Sequence, residues 1–328
     1  MRKLLLTHFF WLFNLIFISF AGYAAPQVVV SIKPIHSLAA GVMQGVASPI
    51  LLLEPPNSPH YFQLRPSHAK LLQEADLMIW VGPDLENFLS TPLKNLNQPK
   101  RLLTLAQLPE IKKLPLRNDE YWPAHDHSHD HSHEHKHEST QDDHHHPHPA
   151  LDGANMDAHL WLDTDNAQHI VNAIAAHLTQ LDPIHAEQYA ANAQALTQRL
   201  AQLTIFIQNR LKGLKNQPFL VFHDAYQYFE QQFNLQALGT ITQQPHVPLS
   251  LHNLTKIQAI INKNNVQCLF QEPEFNQKMI NNLVQNTSLK SQILDPLASQ
   301  AALGPNAYFE MMENLALTFE NCLTPQKK

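Results

Sequence analysis

The sequence predicts an α/β protein of two Rossmann-like lobes, each built on a mostly parallel sheet, joined by one long rigid helix. Three observations carry this prediction. Short apolar runs of strand character alternate with stretches of helical periodicity, and such alternation implies parallel sheets with helices on both faces. One helical stretch, 182–213, is far longer than the rest and divides the alternation into two groups. The 328 residues, 44% hydrophobic, suffice to bury two lobes of ordinary domain size. Only eight glycines stand against 23 prolines, which argues for stiff connections.

The chain opens, at 1–24, on a segment that reads as an export signal. Arg2 and Lys3 form a charged start, 4-LLLTHFFWLFNLIFISF-20 is an apolar core, and Gly22 and Ala24 are small residues at the −3 and −1 positions, so cleavage is expected after Ala24. Pro26 argues against a cut after Ala25, and His8 and Asn14 interrupt the apolar run, against a retained membrane anchor. No cysteine lies near the cut to accept a lipid, so the mature chain is expected free in a periplasm, as a monomer.

An N-terminal lobe over 25–181 is expected to hold strands in 27-QVVVSI-32, 49-PILLLEP-55 and 77-LMIWVG-82, with a helix over 66-PSHAKLLQEA-75. The linking helix, 182–213, starts at Asp182 as N-cap with Pro183 at the first helical position. Its apolar residues Tyr189, Ala193, Leu196, Leu200, Leu203, Ile207, Leu211 and Leu214 recur at steps of three and four, and Gly213 is the expected C-cap. Some 30 residues make a spine of roughly 45 Å, which leaves a cleft between the lobes little room to open. A C-terminal lobe over 214–328 follows, with strands in 219-FLVFH-223, 266-VQCLFQ-271 and 292-QILDPL-297 and a helix over 250-SLHNLTKIQAIINK-263. Cys268 and Cys322 are an even pair in an exported chain and are expected to bridge. The loop so closed, of about 54 residues, is worth roughly 4 kcal/mol on the chain-entropy account.

Between the third strand and the linking helix the rhythm is broken by 125-HDHSHDHSHEHKHESTQDDHHHPH-148. It holds eleven of the 22 histidines: His125, His127, His129, His131, His133, His135, His137, His144, His145, His146 and His148. Six carboxylates against one lysine give it −5 of the formal charge of −6, so the remainder is near neutral and offers no basic face for nucleic acid. A segment almost without apolar residues cannot join a core and is expected to be a disordered surface insert that binds metal.

Three further histidines sit where strand ends or apolar patches meet loops: His60 in 54-EPPNSPHYFQLRPS-67, His159 in 157-DAHLWLD-163 and His223 in 219-FLVFHDAYQYFE-230. Asp295, in 292-QILDPLA-298, is a fourth candidate. Ligands of open α/β sheets bind beyond the carboxyl ends of strands, where these side chains fall. Three imidazoles completed by a carboxylate or water make a tetrahedral, borderline-soft site suited to Zn2+, whereas Mn2+ prefers more oxygen. The three lie far apart in sequence, so spacing alone forms no compact motif. Glu272 and Glu274 stand either as orienting partners of a ligand histidine or as solvated acids, while Glu54 and Asp224 read as solvated. Trp161, Tyr226, Tyr228 and Phe229 read as cleft wall and core.

The stretches SPHYFQLRPS, LMIWVGPDLENFL, DAHLWLD, FLVFHDAYQYFE and ILDPLA together resemble the metal-specific (cluster A-I, family 9) substrate-binding proteins of ABC importers, and among them the zinc-binding branch. The likeness runs in order along the whole mature chain and includes the acidic histidine insert and the late cysteine pair. It implies zinc held between the lobes by His60, His159 and His223, with His223 standing where manganese-binding relatives have a glutamate. Asp295 matches a ligand position of those relatives. Tyr61 departs from the pattern, which has an acidic residue after the first histidine.

The expected function is capture of Zn2+ in the periplasm and delivery to an inner-membrane ABC permease with its ATPase subunit, without catalysis. A secreted zinc hydrolase is the rival from another class; it needs an open metal position and a placed base, and H-E-x-x-H does not occur. A third reading is a zinc buffer acting through the histidine insert alone. Within the leading reading the insert collects or buffers zinc beside the cleft.

Overall fold

A computed structural model describes residues 24–95, 101–117, 156–242, 251–273 and 289–325. The export segment up to residue 23, the histidine insert and Glu274 lie outside the described residues.

The first lobe is a parallel sheet of β1 (Val28–Val30), β2 (Ile50–Leu51), β3 (Leu77–Trp80) and β4 (Leu102–Thr104), in the order β2-β1-β3-β4. Val29 is in register with Ile50 on one side and Met78 on the other, and Met78 with Leu102. Both faces are covered, which is why the strands read as unbroken apolar runs. Alternate side chains go to opposite faces. Val28, Val30, Leu77 and Ile79 enter a large core. Val29, Met78 and Trp80 enter a smaller cluster with Leu72 of α2 (Pro66–Glu74) and Leu89 and Leu93 of α3 (Asn87–Asn95). The strands are shorter than the apolar runs that announced them. β4 was not expected, because its run, 102-LLT-104, has no Val, Ile or aromatic residue to mark it as a strand.

The second lobe has β5 (Phe219–Leu220), β6 (Cys268–Gln271) and β7 (Lys290–Ile293), again parallel and in that order. Phe219, Cys268 and Phe270 face the same large core as the first sheet. Leu220 and Leu269 face outward onto Ile257 and Ile261 of α7 (Leu251–Asn264).

Between the sheets lie α1 (Lys33–Val42), α4 (Thr164–Leu181), α5 (Ala186–Leu211) and α8 (Ala307–Leu323). Their buried residues, among them Leu38, Ile170, Leu200 and Phe319, make one apolar cluster continuous from sheet to sheet. The lobes thus share a core, and parting them would expose it. α5 is the expected spine, 26 residues or roughly 39 Å long. Every apolar residue of its expected stripe is buried. Polar side chains on it reach both lobes: Asn192 donates to the Val42 and Gln44 carbonyls at the end of α1, and Arg199 and Arg210 reach Asn306 and Glu320 at α8. At Gly41 a Cβ would come within 2.7 Å of Leu196, so glycine lets α1 lie against α5.

The start of the spine differs from expectation. Asp182 closes α4, a 3-10 turn over Pro183–His185 intervenes, and α5 begins at Ala186. The Asp182 carboxylate accepts from His185 Nδ1 and Tyr189 Oη. Proline at the turn satisfies the same local rule in either geometry, so the sequence did not separate them. Gly213 follows the last turn at φ +89, as a C-terminal glycine should. Cys268 and Cys322 are bridged, tying β6 to α8. No helix among the described residues is long and apolar enough to cross a membrane.

Candidate metal centre

The three histidines expected from the sequence meet. His60 lies on the loop between β2 and α2, His159 just before a 3-10 turn (Leu160–Leu162) that leads into α4, and His223 three residues beyond β5. Each offers one ring nitrogen to a group whose members lie within 4.8 Å of one another. The ring centroids are 5.2–5.5 Å apart. His159 and His223 are buried and His60 is half-buried.

Two of the three are oriented by buried carboxylates. His159 Nδ1 lies 2.8 Å from Asp157 Oδ1, which also accepts from the His159 backbone N–H. His223 Nδ1 lies 2.7 Å from Glu272 Oε1, just beyond β6. An ionised carboxylate only accepts, so each Nδ1 carries the proton and each Nε2 turns its lone pair inward. Those two Nε2 atoms are 3.3 Å apart. A tetrahedral ion with bonds of about 2.0–2.1 Å needs ligand nitrogens roughly 3.3–3.4 Å apart, so this pair already stands at the edge length of a zinc tetrahedron. Burial pushes the Asp157 carboxyl up to about 7, against the His159 N–H and the Arg117 charge that favour its anion. A dication beside it would favour the anion further.

The histidines, with Ser58, Pro59, Trp161, Pro296 and Leu297, enclose a cavity of about 10 Å³. That is room for one ion or water. Trp161 donates to the Pro296 carbonyl at 2.8 Å, and Tyr308 Oη donates to the Trp161 carbonyl at 2.8 Å, pinning the wall.

Asp295 is not gathered with the histidines. Among the described residues the ligand group consists of the three histidines. The Asp295 oxygens accept from Leu297 N, Ser299 Oγ and Gln300 N, and so organise the turn behind Pro296. An aspartate after a strand serves a turn as readily as a metal, and sequence does not separate the two roles. Glu54 is exposed, as expected. Asp224 is not solvated: it is buried and paired with Arg117. Tyr226, Tyr228 and Phe229 are fully buried core residues. Asp157 was missed as the orienting partner of His159, although the D-x-H spacing in 157-DAH-159 is a signal that could have found it.

Comparison with known proteins bears on family and fold. The family model described as ZnuA, zinc-uptake complex component A, periplasmic, matches residues 28–322. The high-affinity zinc uptake system protein ZnuA of Brucella suis biovar 1 is 37% identical over 305 residues, covering 90% of this chain and 91% of that protein. Its counterpart in Yersinia pestis is 34% identical over 300 residues, covering 92% of each. Among solved structures, the periplasmic zinc binding protein TroA from Treponema pallidum has a TM-score of 0.72 at 19% identity, covering 92% of this chain and 99% of that one. At such identity the structural likeness speaks for the fold.

Proposed function

The chain belongs to the ZnuA family of periplasmic zinc-uptake components, and from that premise we propose that His60, His159 and His223 hold one Zn2+ between the lobes for delivery to an ABC permease and its ATPase subunit. The observation that carries the reading is the Nε2 pair of His159 and His223, 3.3 Å apart with both Nδ1 atoms facing buried carboxylates. Two ligands are thereby preset on elements of the shared core, and His60 completes the set from its loop. The fourth position is left to water, since the Asp295 carboxylate is engaged by its own turn. The shared core supports small movements of the lobes on loading. We further propose that the mature protein begins after Ala24, carries no lipid and acts as a monomer, and that the histidine insert collects zinc for the cleft.

The test is zinc stoichiometry and affinity by chelator competition on three forms of residues 25–328: intact, lacking 125–148, and carrying His60→Ala, His159→Ala and His223→Ala together. One tight site kept by the loopless form and lost from the triple variant is the expected result. Tight binding that leaves with the insert instead would overturn the cleft site. Turnover of peptide, ester or phosphate substrates by the zinc-loaded protein would favour the hydrolase reading.

A further inference from the structure

We propose that Arg117 is a positioning residue for zinc capture, holding His223 at the separation from His159 that a single ion requires. The inference rests on the three-histidine reading above and adds to it a residue outside the ligand set.

Arg117 spans two buried carboxylates. Its Nε donates to Asp224 Oδ1 at 3.0 Å and Oδ2 at 3.1 Å, and its Nη2 donates to Asp224 Oδ1 as well. Nη1 and Nη2 donate to the two oxygens of Glu230 at 2.9 and 3.0 Å. Asp224 is the chain neighbour of His223, and Glu230 lies on α6 (Gln227–Phe233), the helix that follows it. Glu230 Oε2 also accepts from Ala237 N at 2.9 Å, so the guanidinium grips a fixed frame rather than a free side chain.

The same short segment is tied to the other histidine. Pro115 forms an antiparallel bridge with Met156, and Leu114 O accepts from Asp157 N at 2.9 Å. Tyr228 Oη, also on α6, accepts from Leu114 N at 3.1 Å and donates to Asp157 O at 3.0 Å. Residues 114–117 therefore join the backbone of Asp157, whose carboxylate orients His159, to the side chain of Asp224, the chain neighbour of His223. Two parts of the site distant in sequence are set against each other by one ribbon and one guanidinium.

A charge that merely neutralised Asp224 and Glu230 could be a lysine. The observed contacts use a planar fork on both carboxylates at once, which an ammonium on a flexible stem does not reproduce. Groups hydrogen-bonded directly to a ligand typically change metal affinity by about 10–100-fold when altered, and Arg117, which acts through the chain beside His223, is expected at the lower end of that range.

The experiment compares Arg117→Lys, Asp224→Asn and His159→Ala in otherwise intact mature protein. Zinc affinity, zinc release rate and the visible spectrum of the Co2+-loaded form are measured, and near-UV circular dichroism reports folding. Arg117→Lys and Asp224→Asn are expected to fold, to bind zinc about 10-fold more weakly through faster release, and to shift the Co2+ bands. A purely structural role would lower the unfolding midpoint and leave the Co2+ spectrum parental. Folded Arg117→Lys and Asp224→Asn proteins with parental affinity and spectrum, beside a weakened His159→Ala, would overturn this inference alone. Tight binding retained by His159→Ala would remove the three-histidine site and this inference with it.

Discussion

Replacing Glu272 by glutamine isolates the contribution of the charge behind His223. In the parent, Glu272 Oε1 lies 2.7 Å from His223 Nδ1, and Oε2 is buried without a hydrogen-bond partner among the described residues. Glutamine has the same shape, so packing is conserved. If its carbonyl faces Nδ1, the bond becomes neutral and the NH2 group takes the buried place of Oε2 with nothing to donate to. If its NH2 faces Nδ1, the imidazole proton must move to Nε2 and the lone pair aimed at the metal is lost. A hydrogen bond to a charged group contributes about 1.5–3 kcal/mol against about 0.5–1.5 for a neutral one, so about 1 kcal/mol of metal-state stabilisation goes, taking the centres of the two ranges. Losses reported for such partners, about 10–100-fold in affinity, correspond to roughly 1.4–2.8 kcal/mol. Zinc-free protein should respond the other way, because a buried carboxylate with one unpartnered oxygen is expensive to desolvate. The assay is competition with a fluorescent chelator at pH 7.5, paired with urea unfolding of the zinc-free form. An affinity within about twofold of the parent, well below the expected loss, would refute the argument that Glu272 sets the His223 tautomer.

Three other outcomes are expected. Burial raises the Glu86 carboxyl from 4.5 to about 7, against hydrogen bonds from Ser31 Oγ and the Gly82 and Val81 N–H groups. Because its folded value is the higher one, its contribution is complete below pH 4.5 and is lost as pH rises through 7, so Glu86→Gln should outlast the parent in urea at pH 8 by up to roughly 3 kcal/mol, and the gap should close near pH 4.5; a gap independent of pH would contradict this. Asp295→Asn should leave zinc affinity near parental, since the carboxylate serves the turn at 297–300, whereas a drop of about 100-fold would make it a ligand. Replacing Cys268 and Cys322 together by serine should lower stability by roughly 4 kcal/mol, read from urea midpoints, and an unchanged midpoint under oxidising conditions would refute the estimate.

Most of the fold was legible because its signals are local. The stripe from Tyr189 to Leu211 repeats over about six turns, and its burial follows from helix geometry alone. Strand runs such as 77-LMIW-80 are apolar throughout because both faces of a parallel sheet are covered. The entry to α5 was misread because Asp182 and Pro183 suit a 3-10 turn as well as a helix start. β4, with no Val, Ile or aromatic residue, did not announce itself as a strand.

For the site, the chemistry was legible and the pairing was not. Residue type and placement at strand ends marked His60, His159 and His223 as metal-binding candidates, and the order of motifs pointed to the family. Imidazole chemistry and strand periodicity are properties of a residue and its near neighbours, so they survive in one dimension. Asp157 lies two residues from His159, close enough for spacing to suggest the pair, but only the tertiary structure decided that Glu272 serves His223 and that Arg117 grips Asp224. It also decided that Asp295 turns to its own loop. Glu272 and His223 are 49 residues apart, and Arg117 and Asp224 are 107 apart. A hydrogen bond falls off within a few tenths of an ångström, and nothing in the spacing of such residues encodes a distance that short. Packing two sheets onto one core does.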